Sequence, residues 1–345
     1  MYQHLLVPVD NSSLSAANVV TATQLAKSLG ARISFFHAVP DFGATDEGAL
    51  LHAIDPVKFA EGLEGDRKAI LAKAVVTTRH MGVACDGYSV RSDHPAEAIV
   101  RAAAELGCDL IVMASRGAKG VSAWLGGSKT QKVLKQSNVS LLVTRVEAND
   151  PLTARERAMG VIKDEHRTLA VVMDSIRQYA VEFAEGKAGE AERQTLQAML
   201  DYVKAFPQKL HHPKEEAYLH PALRERCPSV AGVLAELEEQ HQTEAGLVKT
   251  TDQALKAWQP ADQDSTVALV KAMEALVDLV LRHIGKEERE VLPLAAQHLT
   301  DSDWQQADKA FAENRNPQFD TLESEELRQL FVRIANMTQK MGSST

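Results

Sequence analysis

The hydrophobic pattern of the chain changes once, at residues 147–153, and this change constrains the fold more than any other feature. Before it, short β-branched runs alternate with segments of helical periodicity. After it, apolar residues recur at helical spacing with no strand-like run among them. The residues between, EANDPLT, are polar and contain Pro151, which is typical of a linker. A chain of 345 residues also exceeds one typical core, so we expect two domains.

Residues 1–146 predict an α/β domain. The expected buried strands are residues 4–9, 32–39, 85–91, 109–114 and 139–145. Helical patterns lie between them, near residues 13–28, 55–80, 95–106 and 127–136. This alternation predicts a doubly wound, parallel five-stranded sheet with helices on both faces. Ligands of such sheets bind beyond the carboxyl ends of the strands, where the strand order reverses.

Residues 154–300 predict an all-α domain, an antiparallel four-helix bundle with short connections. The expected helices are residues 154–185, 187–221, 229–258 and 264–298. Gly186, Pro228 and Pro260 mark the breaks between them. Residues 301–345 are expected to form a C-terminal helical extension that ends in a frayed tail.

Charge and composition exclude several classes of partner. Residues 1–149 carry 15 Lys and Arg against 14 Asp and Glu, whereas residues 150–345 carry 23 against 33. The acidic second half argues against binding to a nucleic-acid backbone. The chain contains no apolar run of the roughly 18 residues that a membrane-spanning helix needs. Three scattered cysteines and an N-terminus without signal-peptide features predict a cytoplasmic protein with no membrane partner.

A glycine-rich loop follows the fourth predicted strand. The strand DLIVMA continues into SRGAKGVSAWLGGSKTQKVL, where Gly127 and Ser128 open the last helix of the domain. Free backbone N–H groups and the helix dipole favour an anion such as a phosphate at this place. A glycine-rich turn alone is weak evidence, because many such loops need glycine simply to turn.

Together with the first strand, Val-Pro-Val-Asp10, this loop resembles the ATP-binding class of the universal stress protein family. The family signature is Gly-x2-Gly-x9-Gly-Ser/Thr, and here its first glycine is Ala114. The resemblance implies ATP or AMP, with Mg²⁺, as ligand, and a homodimer through residues 139–145. In the family, the adenosine is contacted at the positions of Asp10 and Val39. The ribose and phosphates pass the positions of Met113, Ala114 and Gly117. The phosphates are cradled at the positions of Gly127, Ser128, Lys129 and Thr130. A vestigial pocket, closed by the methyl group of Ala114, is the alternative.

The second half of the chain contains a duplicated histidine motif. HHPKEEAYLHP (211–221) and HIGKEEREVLP (283–293) both read His-x2-Lys-Glu-Glu-x4-Pro. The four-residue spacing from histidine to the first glutamate places both side chains on one helix face. One such pair is usually an ordinary surface pair. The duplication, together with single histidines at positions 166 and 241 on the two other helices, instead indicates a metal site.

Mixed imidazole and carboxylate ligands in a bundle core suit iron or manganese, and two carboxylates can bridge a pair of metal ions. Residues 155–318 resemble the hemerythrin-like HHE cation-binding family, including the segment Leu-Thr-x-x-Asp-Trp at 299–304. The resemblance implies a centre of two non-haem iron ions that binds O2 or related oxidants. Its implied ligands are His166, His211, Glu215, His241, His283 and Glu287, with both glutamates as bridges.

One position departs from the oxygen-carrying members of this family, because Ala245 stands where they have a further histidine. His212, Glu216 or Glu244 could take its place, or one coordination position stays open. Two other histidines, His220 and His298, lie near predicted helix ends, where we expect them to be solvated or to cap carbonyl groups.

These features favour a stress-related sensing and binding protein. Its iron centre would respond to O2, peroxide, nitric oxide or iron, and its first domain would bind an adenine nucleotide. The alternatives are an enzyme that acts on peroxide, O2 or nitric oxide at the same centre, and a protein that buffers iron. All three would use one ligand set, so the sequence does not separate them.

Overall fold

A computed structural model describes residues 2–39, 56–115, 129–145, 152–313 and residue 334. The chain divides into two compact units, Met1–Asp150 and Pro151–Thr345. The fold class predicted from the sequence is confirmed in both.

The first unit is built on a five-stranded sheet in which every strand pair is parallel. The strands are β1 (His4–Pro8), β2 (Arg32–Val39), β3 (Cys85–Arg91), β4 (Leu110–Ser115) and β5 (Ser140–Arg145). Their spatial order is β3-β2-β1-β4-β5. The chain builds the sheet outward from β1 in one direction through β3 and then in the other from β4, so the strand order reverses between β1 and β4. The carboxyl ends of β1 and β4 therefore flank the place where such sheets bind ligands.

Among the described residues of this unit, four helices cover the two faces of the sheet: α1 (Ser13–Leu29), α2 (Pro56–His80), α3 (Pro95–Glu105) and α4 (Lys129–Gln136). Side chains of β1 alternate between the faces, as the pleat requires. Leu5 and Val7 pack in one core with α1 and α2, and Leu6 packs in the other with α3 and α4. Helix α1 ends at Gly30, whose φ of 67° is left-handed and suits the missing side chain.

The second unit is a helical bundle. Its helices are α5 (Ala154–Ala184), α6 (Glu190–Ala205), α7 (His212–Lys214), α8 (His220–Arg226), α9 (Ala231–Ala257), α10 (Gln263–Lys286), α11 (Leu292–His298) and α12 (Asp301–Ala312). Helices α6, α7 and α8 together form the second long arm of the bundle, and α10 and α11 form the fourth. Thr153 and Glu156 cap each other's backbone N–H groups, which fixes the start of α5.

Three π-helical turns interrupt these arms, at Pro207–His211, Glu215–Leu219 and Glu287–Val291. Each turn ends two residues before a proline, namely Pro213, Pro221 or Pro293. A proline ring clashes with the carbonyl group four residues earlier and offers it no N–H. A π-helical turn contains one residue more than an α-helical turn, and this wider turn relieves the clash. Pro213 therefore widens the helix that presents His211.

Helix α12 packs across the bundle and completes its core. Trp304 and Phe311 are buried in the same apolar cluster as Leu223 and Leu292. Charged contacts hold the helix in place at its start, where Nε of Arg226 donates to Asp303 at 2.6 Å. In the part of the chain that the structure describes, no helix is both long enough and apolar enough to cross a lipid bilayer.

Candidate functional site

The metal-binding side chains predicted from the sequence converge inside the bundle in two adjoining groups. Within each group, one candidate ligand atom per residue lies within 4.8 Å of the others, and every member is buried. The first group is His166, His211, Glu215 and Glu287, and the second is His212, His241 and His283.

Four helical arms supply these side chains. His166 lies in the middle of α5, His241 on α9 and His283 near the end of α10. His211 ends the first π-helical turn, whereas Glu215 and Glu287 each begin one. Both carboxylates therefore stand at the place where the helix widens, one turn after a histidine of the same arm.

The four histidines predicted as ligands are each oriented by an oxygen atom next to Nδ1, on the side of the ring that faces away from the site. The Nδ1–oxygen distances are 3.1 Å from His166 to Glu288, 2.8 Å from His211 to Glu165, 2.7 Å from His241 to Glu216 and 3.2 Å from His283 to Gln240. A carboxylate or amide oxygen only accepts, so we assign the ring proton to Nδ1 in each case. With that proton on Nδ1, each Nε2 atom would be free to offer its lone pair to a metal ion in the interior of the site.

These inward Nε2 atoms lie close to each other and to the carboxylates. The Nε2 atoms of His166 and His211 are 3.1 Å apart, and Nε2 of His211 lies 2.9 Å from Oε1 of Glu215. Nevertheless, both carboxylate oxygens of Glu215 and of Glu287 lack a hydrogen bond of acceptable geometry to any described residue. Ligands about 2.1 Å from one octahedral metal ion lie about 3 Å apart, as these atoms do. The residues present therefore fit bound metal ions.

In the metal-free cluster, the pKa values of neighbouring buried groups are shifted in opposite directions. Burial, and then the neighbouring Glu287 carboxylate, raise the pKa of Glu215 to about 8. Burial would also raise the pKa of Glu287, but His166 outweighs it and holds that pKa well below its usual value. Burial lowers the pKa of His283 to about 3. Buried groups with such opposed preferences are stabilised together when cations bind among them.

Of the three candidates for the place of the histidine missing at Ala245, His212 lies in the second group with His241 and His283. Its ring stacks on that of His241, with centroids 3.8 Å apart and planes 9° apart. Its Nε2 is buried and has no hydrogen-bond partner among the described residues. Of the other two candidates, Glu216 accepts from Nδ1 of His241, and Glu244 lies 3.9 Å from Nε2 of His212. Burial raises the pKa of Glu244 to about 7.

The expectation for His220 is wrong. Its side chain is 1% exposed rather than solvated, and its Nδ1 lies 3.1 Å from Oε1 of Glu238. The ring lies parallel to that of His241, with centroids 6.3 Å apart. His298, by contrast, is half-buried at the end of α11.

Sequence reasoning did not identify the outer oxygen atoms as a set. The signal was present, because Glu165 and Gln240 immediately precede the single histidines. Glu216 and Glu288 are likewise the second glutamates of the duplicated motif. Metal-bound histidines usually donate their other ring N–H to such groups, so their positions could have been predicted.

The structure describes part of the predicted nucleotide site, all of it at the carboxyl edge of the sheet or on α4. Asp10 follows β1, and its Oδ1 accepts a hydrogen bond from the backbone N–H of Ser12 at 3.0 Å. Val39 ends β2, while Met113 and Ala114 lie in the last half of β4. Lys129 and Thr130 begin α4. Gly117, Gly127 and Ser128 lie outside the described residues.

A cavity of about 300 Å³ lies beside this edge. Its lining residues are Val39, Glu64, Arg67, Ser89, Val90 and Arg91. Val39 and Arg91 are register partners at the ends of β2 and β3, so the cavity opens at the carboxyl ends of two neighbouring strands. Of the residues assigned to the adenosine, Val39 is in its wall.

Two family models match the chain, one in each half. Residues 1–145 match the universal stress protein family, and residues 158–295 match the hemerythrin HHE cation-binding domain.

Curated relatives cover the first half. The universal stress protein YxiE of Bacillus subtilis (strain 168) is 29% identical over 149 residues, which are 42% of this chain and 100% of that protein. A universal stress protein from the QAH/OAS sulfhydrylase 3′ region of Thermus aquaticus is 29% identical over 150 residues, again 42% of this chain and 100% of that protein.

Solved structures also resemble this half. A universal stress protein in complex with cAMP is 23% identical, with a TM-score of 0.31, over 42% of this chain and 97% of that one. A universal stress protein from Burkholderia pseudomallei is 26% identical, with a TM-score of 0.32, over 42% of this chain and 97% of that one.

Proposed function

Residues 1–145 belong to the universal stress protein family and residues 158–295 to the hemerythrin HHE cation-binding family, and we therefore propose that the chain is a stress-related sensing and binding protein. In this proposal the bundle holds two non-haem iron ions and responds to O2, peroxide, nitric oxide or iron. The first domain binds ATP or AMP with Mg²⁺.

One observation carries the metal proposal. Four imidazole lone pairs and four carboxylate oxygens without hydrogen bonds to described residues point into one buried space. Neutral imidazole and carboxylate together suit iron in a helical bundle. Two iron ions, when bound, would supply redox chemistry and Lewis acidity.

The residues have distinct parts in this proposal. His166 and His211 hold the first metal position, whereas His212, His241 and His283 hold the second. Glu215 has one oxygen 2.9 Å from Nε2 of His211 and the other 3.7 Å from Nε2 of His241, which favours a bridging part for it. Oε2 of Glu287 lies 3.1 Å from Nε2 of His166 and 3.9 Å from Nε2 of His283, which favours Glu287 as the second bridge.

The proposal assigns six ligands from the sequence and adds His212 to them. With three imidazoles, the second position has no need of a histidine at position 245. The first position has only two imidazoles besides the shared carboxylates, so a coordination position for a small oxidant would be open there.

The test is metal analysis joined to optical spectroscopy of the full-length protein expressed with iron. We expect about two irons per chain, and near-ultraviolet absorption that changes with O2, peroxide or nitric oxide. A single tightly held zinc ion without that absorption would refute the iron centre. Repeated turnover of peroxide or nitric oxide, rather than one spectral change per site, would favour the enzyme. Binding of iron without any response to these molecules would favour iron buffering.

For the first domain we propose a homodimer through β5 in a cytoplasmic setting. The strand is the last in the sheet order, and its side chains Leu142 and Val143 are exposed by 38% and 43%. Exposed apolar residues on an edge strand favour pairing with another chain. The three cysteines are free, in keeping with a reducing compartment. Light scattering on Leu142→Glu should show a loss of dimer, and an unchanged mass would contradict this interface.

A further inference from the structure

The duplicated motif gives the metal site an approximate internal symmetry. In each half, a single histidine follows an acceptor residue: Glu165 precedes His166, and Gln240 precedes His241. Neither acceptor orients the histidine that follows it in sequence. Glu165 instead accepts from Nδ1 of His211, and Gln240 accepts from Nδ1 of His283. The second glutamate of each motif completes the set by orienting the single histidine of the opposite half.

This symmetry is broken at one atom of the outer set. Glu165 is a carboxylate, 7% exposed, with Oε2 2.8 Å from Nδ1 of His211. Gln240 is an amide whose Oε1 lies at the longer distance of 3.2 Å from Nδ1 of His283. Nε2 of Gln240 donates to Oε1 of Glu236 at 3.0 Å, which fixes the amide with its oxygen toward the histidine.

A charged acceptor does more to a metal-bound imidazole than a neutral one. It draws the Nδ1 proton outward, which increases the electron density at Nε2 and so the strength of that nitrogen as a ligand. It also fixes the ring more firmly, because hydrogen bonds to charged groups are shorter and stronger than neutral ones. His211 therefore has a stronger support than His283.

We propose that Glu165 is a positioning residue that strengthens metal binding through His211, and that Gln240 gives the other metal position a weaker version of the same support. The inference rests on the proposed metal centre and adds to it a difference between its two positions. At each position, the strength of metal binding depends on whether the outer acceptor is a carboxylate or an amide.

The experiment uses the full-length metal-free protein under anaerobic conditions, with Co²⁺ as the probe and a chromogenic chelator as competitor. It yields two stepwise dissociation constants, which His211→Ala and His283→Ala assign to the two positions. Glu165→Gln should raise the constant of the His211 position by about 10- to 100-fold and leave the other unchanged. Gln240→Glu should lower the constant of the His283 position, by about tenfold or more.

Glu182→Gln is the matched control, because it makes the same chemical change on the same helix α5, far from the site. It should leave both constants at their wild-type values. The melting temperature of each metal-free variant, measured alongside, separates a fold defect from a ligand effect. Tightening by Gln240→Glu is the decisive result, since damage to packing cannot strengthen metal binding.

The outcomes separate this inference from the proposed function. Two Co²⁺ per wild-type chain, with constants that neither exchange alters, would overturn the role of Glu165 and leave the metal centre standing. An equal rise of both constants in Glu165→Gln would overturn it as well. Fewer than two Co²⁺ per wild-type chain would instead contradict the two-metal centre itself.

Discussion

At the scale of single residues, the bundle is organised around two buried carboxylates. Glu215 and Glu287 are 0% and 1% exposed, and their oxygen atoms have no hydrogen bonds to the described residues. A buried anion without compensation costs several kcal/mol. The burial of Glu215 beside the Glu287 carboxylate is therefore a cost to the metal-free fold, which a pair of cations would offset.

We predict that Glu215→Gln or Glu287→Gln lowers the iron content from about two per chain to below one, because an amide is a poor bridge between metal ions. Elemental analysis of the purified proteins measures this. His298→Gln is the control, since that side chain is half-buried at a helix end away from the site.

The metal-free Glu215→Gln protein supplies a second readout. The pKa of Glu215 is raised to about 8, above its usual value, so ionisation of this group destabilises the fold. Its melting temperature at pH 8 should therefore be no lower than that of the metal-free wild type.

Equal iron loss in His298→Gln would show that the wrong helix face has been assigned.

At the scale of elements, helix α12 is attached to the bundle by an ion pair at its first turn. Arg226 donates from Nε and Nη2 to the two carboxylate oxygens of Asp303, at 2.6 and 3.1 Å. The hydrogen bond from Arg226 is the main reason why the pKa of Asp303 falls to about 2. Asp303 also accepts from the backbone N–H of Thr300, which fixes the start of the helix.

The depressed pKa of Asp303 predicts how this contact depends on pH. Its stabilisation is complete above the ordinary aspartate pKa, near 4, and is lost as the pH falls through about 2. Arg226→Met should therefore lower the free energy of unfolding at pH 6 and have a smaller effect at pH 2, where Asp303 is losing its charge. The measurement is denaturant unfolding of metal-free wild type and variant at both pH values. A difference that persists undiminished at pH 2 would show that Arg226 acts through packing instead.

The sequence was sufficient to predict the elements and the spacing of His211 with Glu215, because both follow from regular periods. It was insufficient for residues beyond a π-helical turn. Nine residues at 100° each would place His220 about 180° from His211, on the outer face of the arm. The turn at Glu215–Leu219 absorbs one residue, which leaves about 80° and directs His220 toward the core.

The same shift explains why the sequence did not indicate which of the three candidates for the place of Ala245 would face His241 and His283. His212 was one of three candidates, and its direction depends on how the chain passes the π-helical turn that ends at His211. The prolines that cause the turns were visible, but the sequence does not specify whether a helix answers a proline by kinking or by widening. Knowledge of the neighbouring helices was needed.

At the scale of the whole molecule, the first domain is predicted to bind ATP. The full-length protein should show a higher melting temperature of its α/β unit with ATP, since a ligand at 100 times its dissociation constant stabilises by about 2.7 kcal/mol. Gly127→Val should abolish this shift, because the new side chain blocks the approach of phosphate to the backbone. Differential scanning calorimetry with and without ATP measures it. An intact wild-type protein that does not respond to millimolar ATP would indicate that Ala114 closes the pocket.

The two halves of the chain raise the question of whether one site reports to the other. Coupling requires that each ligand change the affinity of the other by the same factor, typically about 5- to 150-fold where it exists. Presence in one chain establishes only that the sites are tethered. Interfaces between domains of one chain are commonly modest and polar, so relative motion is the ordinary behaviour. An allosteric link would need a two-state element whose equilibrium both sites shift.

We therefore expect ATP to bind with equal affinity to the iron-free, diferrous and diferric forms of the full-length protein. Isothermal titration calorimetry under anaerobic conditions measures the three dissociation constants, and Gly127→Val supplies the baseline for ATP that binds elsewhere. A change of about fivefold or more between any two forms would contradict this expectation, because it falls within the range of real allosteric coupling. By reciprocity, the retention of iron would then have to change by the same factor when ATP is added. Measuring both directions distinguishes such a link from an effect of iron on folding, which would alter ATP binding without obeying that equality.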